Sequence, residues 1–172
     1  MNLVRKLARL FFAASVGLAI GTSITISSYT KSYKPYKWSS SPIIANCYGP
    51  DFYEDRIKSA VRYWHDYSEE IAFIVTDPPE SVCRHEYLDG FIILKKAPRG
   101  YLSDETLAKT KTKIKTLKLK AAVIYFNPGT QNLSYVVEHE LGHAYGYKHI
   151  DELGHIMHSN YDYMGPKFWI PN

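Results

Sequence analysis

Residues 139–149 have the types and spacing of a metal site. They read HELGHAYGYKH, which is the pattern H-E-x-x-H-x-x-G-x-x-H. His139 and His143 would share one face of a helix, so that both imidazoles can bind the same ion. On a continued helix His149 would lie about 9 Å beyond His143, whereas zinc–nitrogen bonds are about 2.0–2.1 Å long. The chain must therefore turn back, and Gly146 lies where a left-handed, helix-ending turn favours glycine.

The same segment predicts hydrolytic chemistry. Three neutral imidazoles leave the fourth position of one zinc ion open for water, which is the arrangement of catalytic sites. Bound zinc lowers the pKa of that water toward about 7. Glu140 projects about 100° around the helix from His139, where it can take a proton from the water and later pass it to a leaving amine. We expect Glu140 to be the general base and then the general acid.

This motif resembles that of the metzincin zinc endopeptidases, which also have a methionine turn shortly after the third histidine. Residues 155–158 (HIMH) follow His149 at a suitable distance. The resemblance implies that Met157 forms an apolar floor beneath the metal and is not a ligand. Asp151, His155 and His158 are near in sequence, and one of them could form a supporting hydrogen bond with a liganding imidazole.

Within the metzincins, the chain is most similar to the matrixin, or matrix-metalloproteinase-like, branch, on the segments Ile57–Val75 and Ala121–Asn127. The resemblance implies an α+β (α/β-like) fold: a small mixed five-stranded sheet on two long helices, with an active-site helix and then the methionine turn. It also implies that substrate pairs with an antiparallel sheet edge, which we place near Ala97–Leu102. Residues 161–166 would wall the pocket for the side chain after the cut bond. Acidic runs for calcium sites are missing, so calcium is not predicted.

Apolar runs and breaker residues give a coarse set of elements. Strands are predicted at 42–47, 71–75, 91–94 and 121–126, and helices at 52–67 and 134–145. Asp51 and Ser134 are the predicted helix N-caps. The strand–helix–strand order at 42–75 predicts parallel pairing of the first two strands.

Residues 1–28 are typical of a signal peptide or an N-terminal membrane anchor. A basic start is followed by the apolar Leu10–Ile20 and by small residues, with cleavage sites ending at Gly21 and Ser28. Either interpretation places the rest of the chain outside the cytoplasm, secreted or anchored. We expect a linker at residues 29–37 and a peptidase domain at residues 38–172.

Two cysteines, Cys47 and Cys83, can form one disulfide in an exported chain. The alternative is two free buried thiols.

Charge gives no case for a nucleic-acid partner. The chain has a net charge of +4, but residues 1–28 hold three basic residues and no acidic ones, so the excess belongs mostly to that segment. Six lysines lie within Lys109–Lys120. We favour a solvated edge or loop there; the alternative is a basic patch for an anionic surface such as phospholipid or an envelope polymer.

These observations predict a monomeric zinc endopeptidase that acts on protein or peptide substrates and contacts a membrane only through its N-terminal segment. One alternative is a non-catalytic zinc-containing binding module, against which Glu140 argues because a structural zinc site needs no carboxylate there. The other is a zinc hydrolase of a non-protein cell-envelope amide, which the sequence leaves open.

Overall fold

The fold is a mixed sheet with helices packed against it. The computed structural model describes residues 33–171. The expected signal or anchor at 1–28 lies outside these residues. The strands are β1 (Lys37–Trp38), β2 (Ile43–Asn46), β3 (Phe73–Val75), β4 (Phe91–Lys96), β5 (Ala108–Lys115) and β6 (Lys118–Phe126), and the helices are α1 (Glu54–His65), α2 (Glu80–Cys83) and α3 (Val136–Ala144). No helix within 33–171 is long and apolar enough to cross a membrane.

The sheet has the order β1-β6-β4-β2-β3, with β5 also paired to β6. β2 pairs in parallel with β3, which confirms the pairing predicted from the strand–helix–strand order. Only β5 and β6 are antiparallel. The sheet has six strands where five were expected, because residues 37–38 form the short β1 on β6.

The predicted antiparallel edge near Ala97–Leu102 is wrong. Those residues follow β4, and the antiparallel edge strand is β5. Its sequence, AKTKTKIK, alternates lysine with threonine, so it carries no apolar periodicity that would mark a strand.

Each face of the sheet buries its own apolar cluster. The larger cluster packs sheet residues such as Ile92 and Ile124 against Trp64 of α1 and Leu141 of α3. A smaller cluster on other sheet residues contains Ile93 and Val123. The structure joins Cys47 to Cys83 by a disulfide, with 5.4 Å between their Cα atoms, so that α2 is tied to the end of β2.

Both long helices begin two residues later than the predicted ranges, and neither has the predicted cap. Their N-caps are Tyr53 and Tyr135, and no side chain caps either helix. Asp51 and Ser134 therefore do not have the predicted capping role.

The segment Tyr33–Trp38 lies on the domain, contrary to the linker expected at 29–37. The Tyr33 carbonyl accepts a hydrogen bond from the Lys148 amide at 2.8 Å. Trp38 pairs in β1 and its indole N–H donates to the Ala144 carbonyl at 2.9 Å. We call residues 33–38 the N-terminal strap. Main-chain contacts such as these do not depend on residue type, so the sequence did not predict them.

Candidate metal centre

The structure brings His139, His143 and His149 together. Their potential ligand atoms all lie within 4.8 Å of one another. Within residues 33–171, this is the one cluster of three histidine, cysteine or acidic side chains that could hold a metal ion. The Nε2 atoms of His143 and His149 are 3.1 Å apart. Two nitrogens bound to one tetrahedral zinc ion at about 2.05 Å would be about 3.3 Å apart, so the donor set fits zinc.

Main-chain carbonyls orient two of these imidazoles. His139 Nδ1 donates to the Ile156 carbonyl, and His143 Nδ1 donates to the Tyr147 carbonyl, each at 2.8 Å. Because a carbonyl only accepts, the proton is on Nδ1 and the Nε2 lone pair is free for a metal. These carbonyls, rather than the side chains considered from the sequence, make the supporting hydrogen bonds.

Burial keeps both imidazoles neutral. It lowers the pKa of His139 to about 3 and that of His143 to about 4, with the neighbouring histidines adding to the shift of His139. Metal binding requires neutral imidazole, so neither residue has to lose a proton at neutral pH.

The third histidine reaches the site because α3 stops. The helix ends at Ala144, and Gly146 has a φ of +100°. A Cβ at Gly146 would lie 2.5 Å from the Tyr36 carbonyl oxygen of the strap. The turn that directs His149 back therefore needs glycine for its conformation and also for the close approach of the strap.

Glu140 lies buried beside the histidines. Thr110 of β5 donates to its Oε2 at 2.5 Å and to its carbonyl at 3.0 Å. Burial raises the pKa of Glu140 to about 7, and the Thr110 hydrogen bonds oppose this rise. The sequence analysis did not identify Thr110. The one feature of the sequence that could have indicated it is the alternation of lysine and threonine in β5.

Hydrogen bonds from α1 hold α3, the helix that carries His139, Glu140 and His143. Arg56 binds both oxygens of Glu138, at 2.7 and 2.6 Å, and the Trp64 indole N–H donates to the Glu138 carbonyl at 2.6 Å. Glu138 immediately precedes His139, so these bonds fix the start of the helix that carries His139 and His143.

Met157 lies fully buried against α3 at Gly142. A Cβ at Gly142 would lie 2.3 Å from Met157 Sδ and 2.6 Å from Trp64 Cζ2. This packing places Met157 beneath the turn of helix between His139 and His143.

A cavity of about 420 Å³ opens beside the three histidines and Glu140. Its apolar lining comes from Leu107, Val136, Tyr161 and Met164. The last two belong to the segment 161–166 expected to wall the pocket. The cavity also runs along residues 105–110, at the start of β5.

Fold and site together are those of a metallopeptidase-type domain with a candidate metal centre. The family model of the matrixins matches residues 63–171. The chain belongs to the matrixin family, which confirms the resemblance seen in the motifs. A comparison with curated proteins found no match.

Proposed function

We propose that the protein is a zinc endopeptidase in which His139, His143 and His149 hold one zinc ion. The observation that supports this most directly is the convergence of these side chains beside a buried carboxylate and an apolar cavity. Zinc bound there would lower the pKa of a water molecule to about 7 and polarise a peptide carbonyl.

Glu140 would move the protons. Its carboxylate takes a proton from the attacking water and gives it to the leaving nitrogen, and Thr110 holds Oε2 in place for both steps. Met157 would be the apolar floor of the site.

The substrate would bind as an added strand. β5 pairs with β6 alone among the described strands, so its other edge has free main-chain groups for an extended peptide. The apolar cavity would take the side chain that follows the cut bond. The domain would start at Tyr33, and the protein would be exported by its N-terminal segment, in keeping with the disulfide.

Zinc content and peptide cleavage, measured on the full chain and on Glu140→Gln, test this proposal. We expect one zinc ion per chain in both proteins and a loss of cleavage of about 10²–10⁴-fold in the variant. A chelator should abolish cleavage and added Zn²⁺ should restore it. Zinc without peptide cleavage in either protein would contradict the proposal and favour a binding module or a non-protein amide substrate.

A further inference from the structure

Positive charge is concentrated in the hairpin formed by β5 and β6. Residues 108–120, the basic hairpin, contain six lysines, and no acidic residue occurs between Glu105 and Glu138. Residues 33–171 contain equal numbers of basic and acidic residues, 17 of each. With six of the basic residues in the hairpin, the rest of the described chain has a net charge of −6. The domain is therefore neutral as a whole but strongly polarised.

Intramolecular ion pairs neutralise only part of this charge. Lys111 pairs with Glu86 at 3.2 Å and Lys113 pairs with Asp89 at 2.8 Å. The other four lysines form no ion pair with any residue in 33–171; they are Lys109, Lys115, Lys118 and Lys120.

The tip of the basic hairpin carries exposed apolar side chains and is conformationally strained. Thr116 and Leu117 have φ values of +52° and +58°, in a turn that usually selects asparagine and glycine. Leu117 is 75% exposed and Ile114 is 40% exposed. A leucine at this position costs backbone strain and leaves apolar surface in water, and such strain clusters at functional sites.

We propose that the basic hairpin docks on an anionic phospholipid surface, with Leu117 inserted at the interface and the unpaired lysines against the headgroups. Each lysine near such a surface strengthens binding about fivefold, and removal of the leucine side chain from water adds about tenfold. Nucleic acid would contact the lysines but would give Leu117 no favourable environment. The proposal does not depend on catalysis.

Vesicle binding by the full chain tests the role of the tip. We expect Leu117→Asn to reduce partitioning onto phosphatidylserine/phosphatidylcholine vesicles about tenfold, and asparagine tolerates the left-handed turn. Leu153→Asn is the matched control, since Leu153 is 79% exposed outside the hairpin. Equal partitioning of the two variants would overturn the proposal.

The role of the lysines is tested with the double variant Lys115→Gln/Lys118→Gln. The control is Lys58→Gln/Lys167→Gln, which lowers the net charge by the same amount outside the hairpin. The first pair should weaken binding to anionic vesicles about 25-fold and leave binding to pure phosphatidylcholine unchanged. If it weakens binding to vesicles and to a DNA duplex alike while Leu117→Asn has no effect, the hairpin is a general polyanion site and the membrane proposal fails.

A direct measurement of tip insertion separates the hairpin from the apolar N-terminal segment of the full chain. Leu117→Trp should add a blue-shifted emission on anionic vesicles that brominated lipid quenches, and Leu153→Trp should not. The same quenching in both variants, or in neither, would overturn the proposal.

Discussion

Thr110 supplies both side-chain hydrogen bonds that reach Glu140, although the two residues are 30 positions apart. The partner of a carboxylate in a helix motif thus comes from a strand that the motif does not contain. The three histidines and Glu140 could be predicted because their spacing is local. Thr110 could not, since its position depends on how β5 crosses α3.

Removal of this hydroxyl tests how Glu140 is positioned. We expect Thr110→Val to lower kcat about tenfold with unchanged zinc content, because a hydrogen bond to a charged group contributes about 1.5–3 kcal/mol. Thr110→Ser should retain most of the activity. Thr112→Val is the control from the same strand; a similar loss of kcat in that variant would mean that Thr110 acts through packing alone.

Gly146 permits a test of the turn before the third histidine. Gly146→Ala should weaken zinc affinity about 10–100-fold, as changes in groups that support metal ligands do, because the added Cβ meets the Tyr36 carbonyl at 2.5 Å. Gly154→Ala is matched in backbone strain, with a φ of +80° and nothing within 4 Å of its Cβ. Zinc titration of both variants gives the comparison, and equal affinities would contradict the role of the strap.

Among the strands, those with apolar runs were predicted, whereas β1 and β5 were not. β2, β3, β4 and β6 follow from their apolar runs. β5 was not recognised as a strand because, at the sheet edge, it carries mainly lysine on one face and threonine on the other, in place of an apolar run. The packing of the N-terminal strap on the domain was not predicted, because the strap is held largely by main-chain hydrogen bonds and by an ion pair between Lys34 and Glu69.

The contact between α1 and α3 should contribute strongly to stability. Arg56→Ala leaves the partly buried Glu138 without its bidentate partner, so we expect the free energy of unfolding to fall by about 1.5–3 kcal/mol. Lys58→Ala removes the exposed pair with Glu54 on the same helix and should cost less than about 1 kcal/mol. Urea denaturation of both variants measures the difference; equal losses would show that the Arg56–Glu138 pair has no special weight.

At the scale of the whole molecule, the candidate metal centre and the disulfide lie beside different apolar clusters. Cys47 packs against the smaller apolar cluster, whereas His139 and His143 lie on α3, which packs on the larger one. From the sequence, an even number of cysteines in an exported chain made a disulfide possible. The fold then brings the two Cα atoms to 5.4 Å, which the sequence could not predict.

Loss of the disulfide should therefore lower stability without altering zinc binding. Its cysteines are 36 residues apart, and a cross-link over such a loop stabilises by about 3–4 kcal/mol through the unfolded chain. We expect Cys47→Ser/Cys83→Ser to lose about this much free energy of unfolding while its zinc affinity stays unchanged. A parallel loss of zinc affinity would show that the disulfide and the candidate metal centre are coupled.

The N-terminal strap also limits how the protein can mature. The Tyr36 carbonyl lies close to Gly146 in the turn that leads to His149, and the Tyr33 carbonyl accepts from the Lys148 amide just after it. Removal of a leader at Gly21 or Ser28 would leave these contacts intact. A processing protease that cut after Trp38 would release the strap and remove the support of the third histidine. The position of that cut would determine whether trimming leaves the histidine site intact or disrupts it.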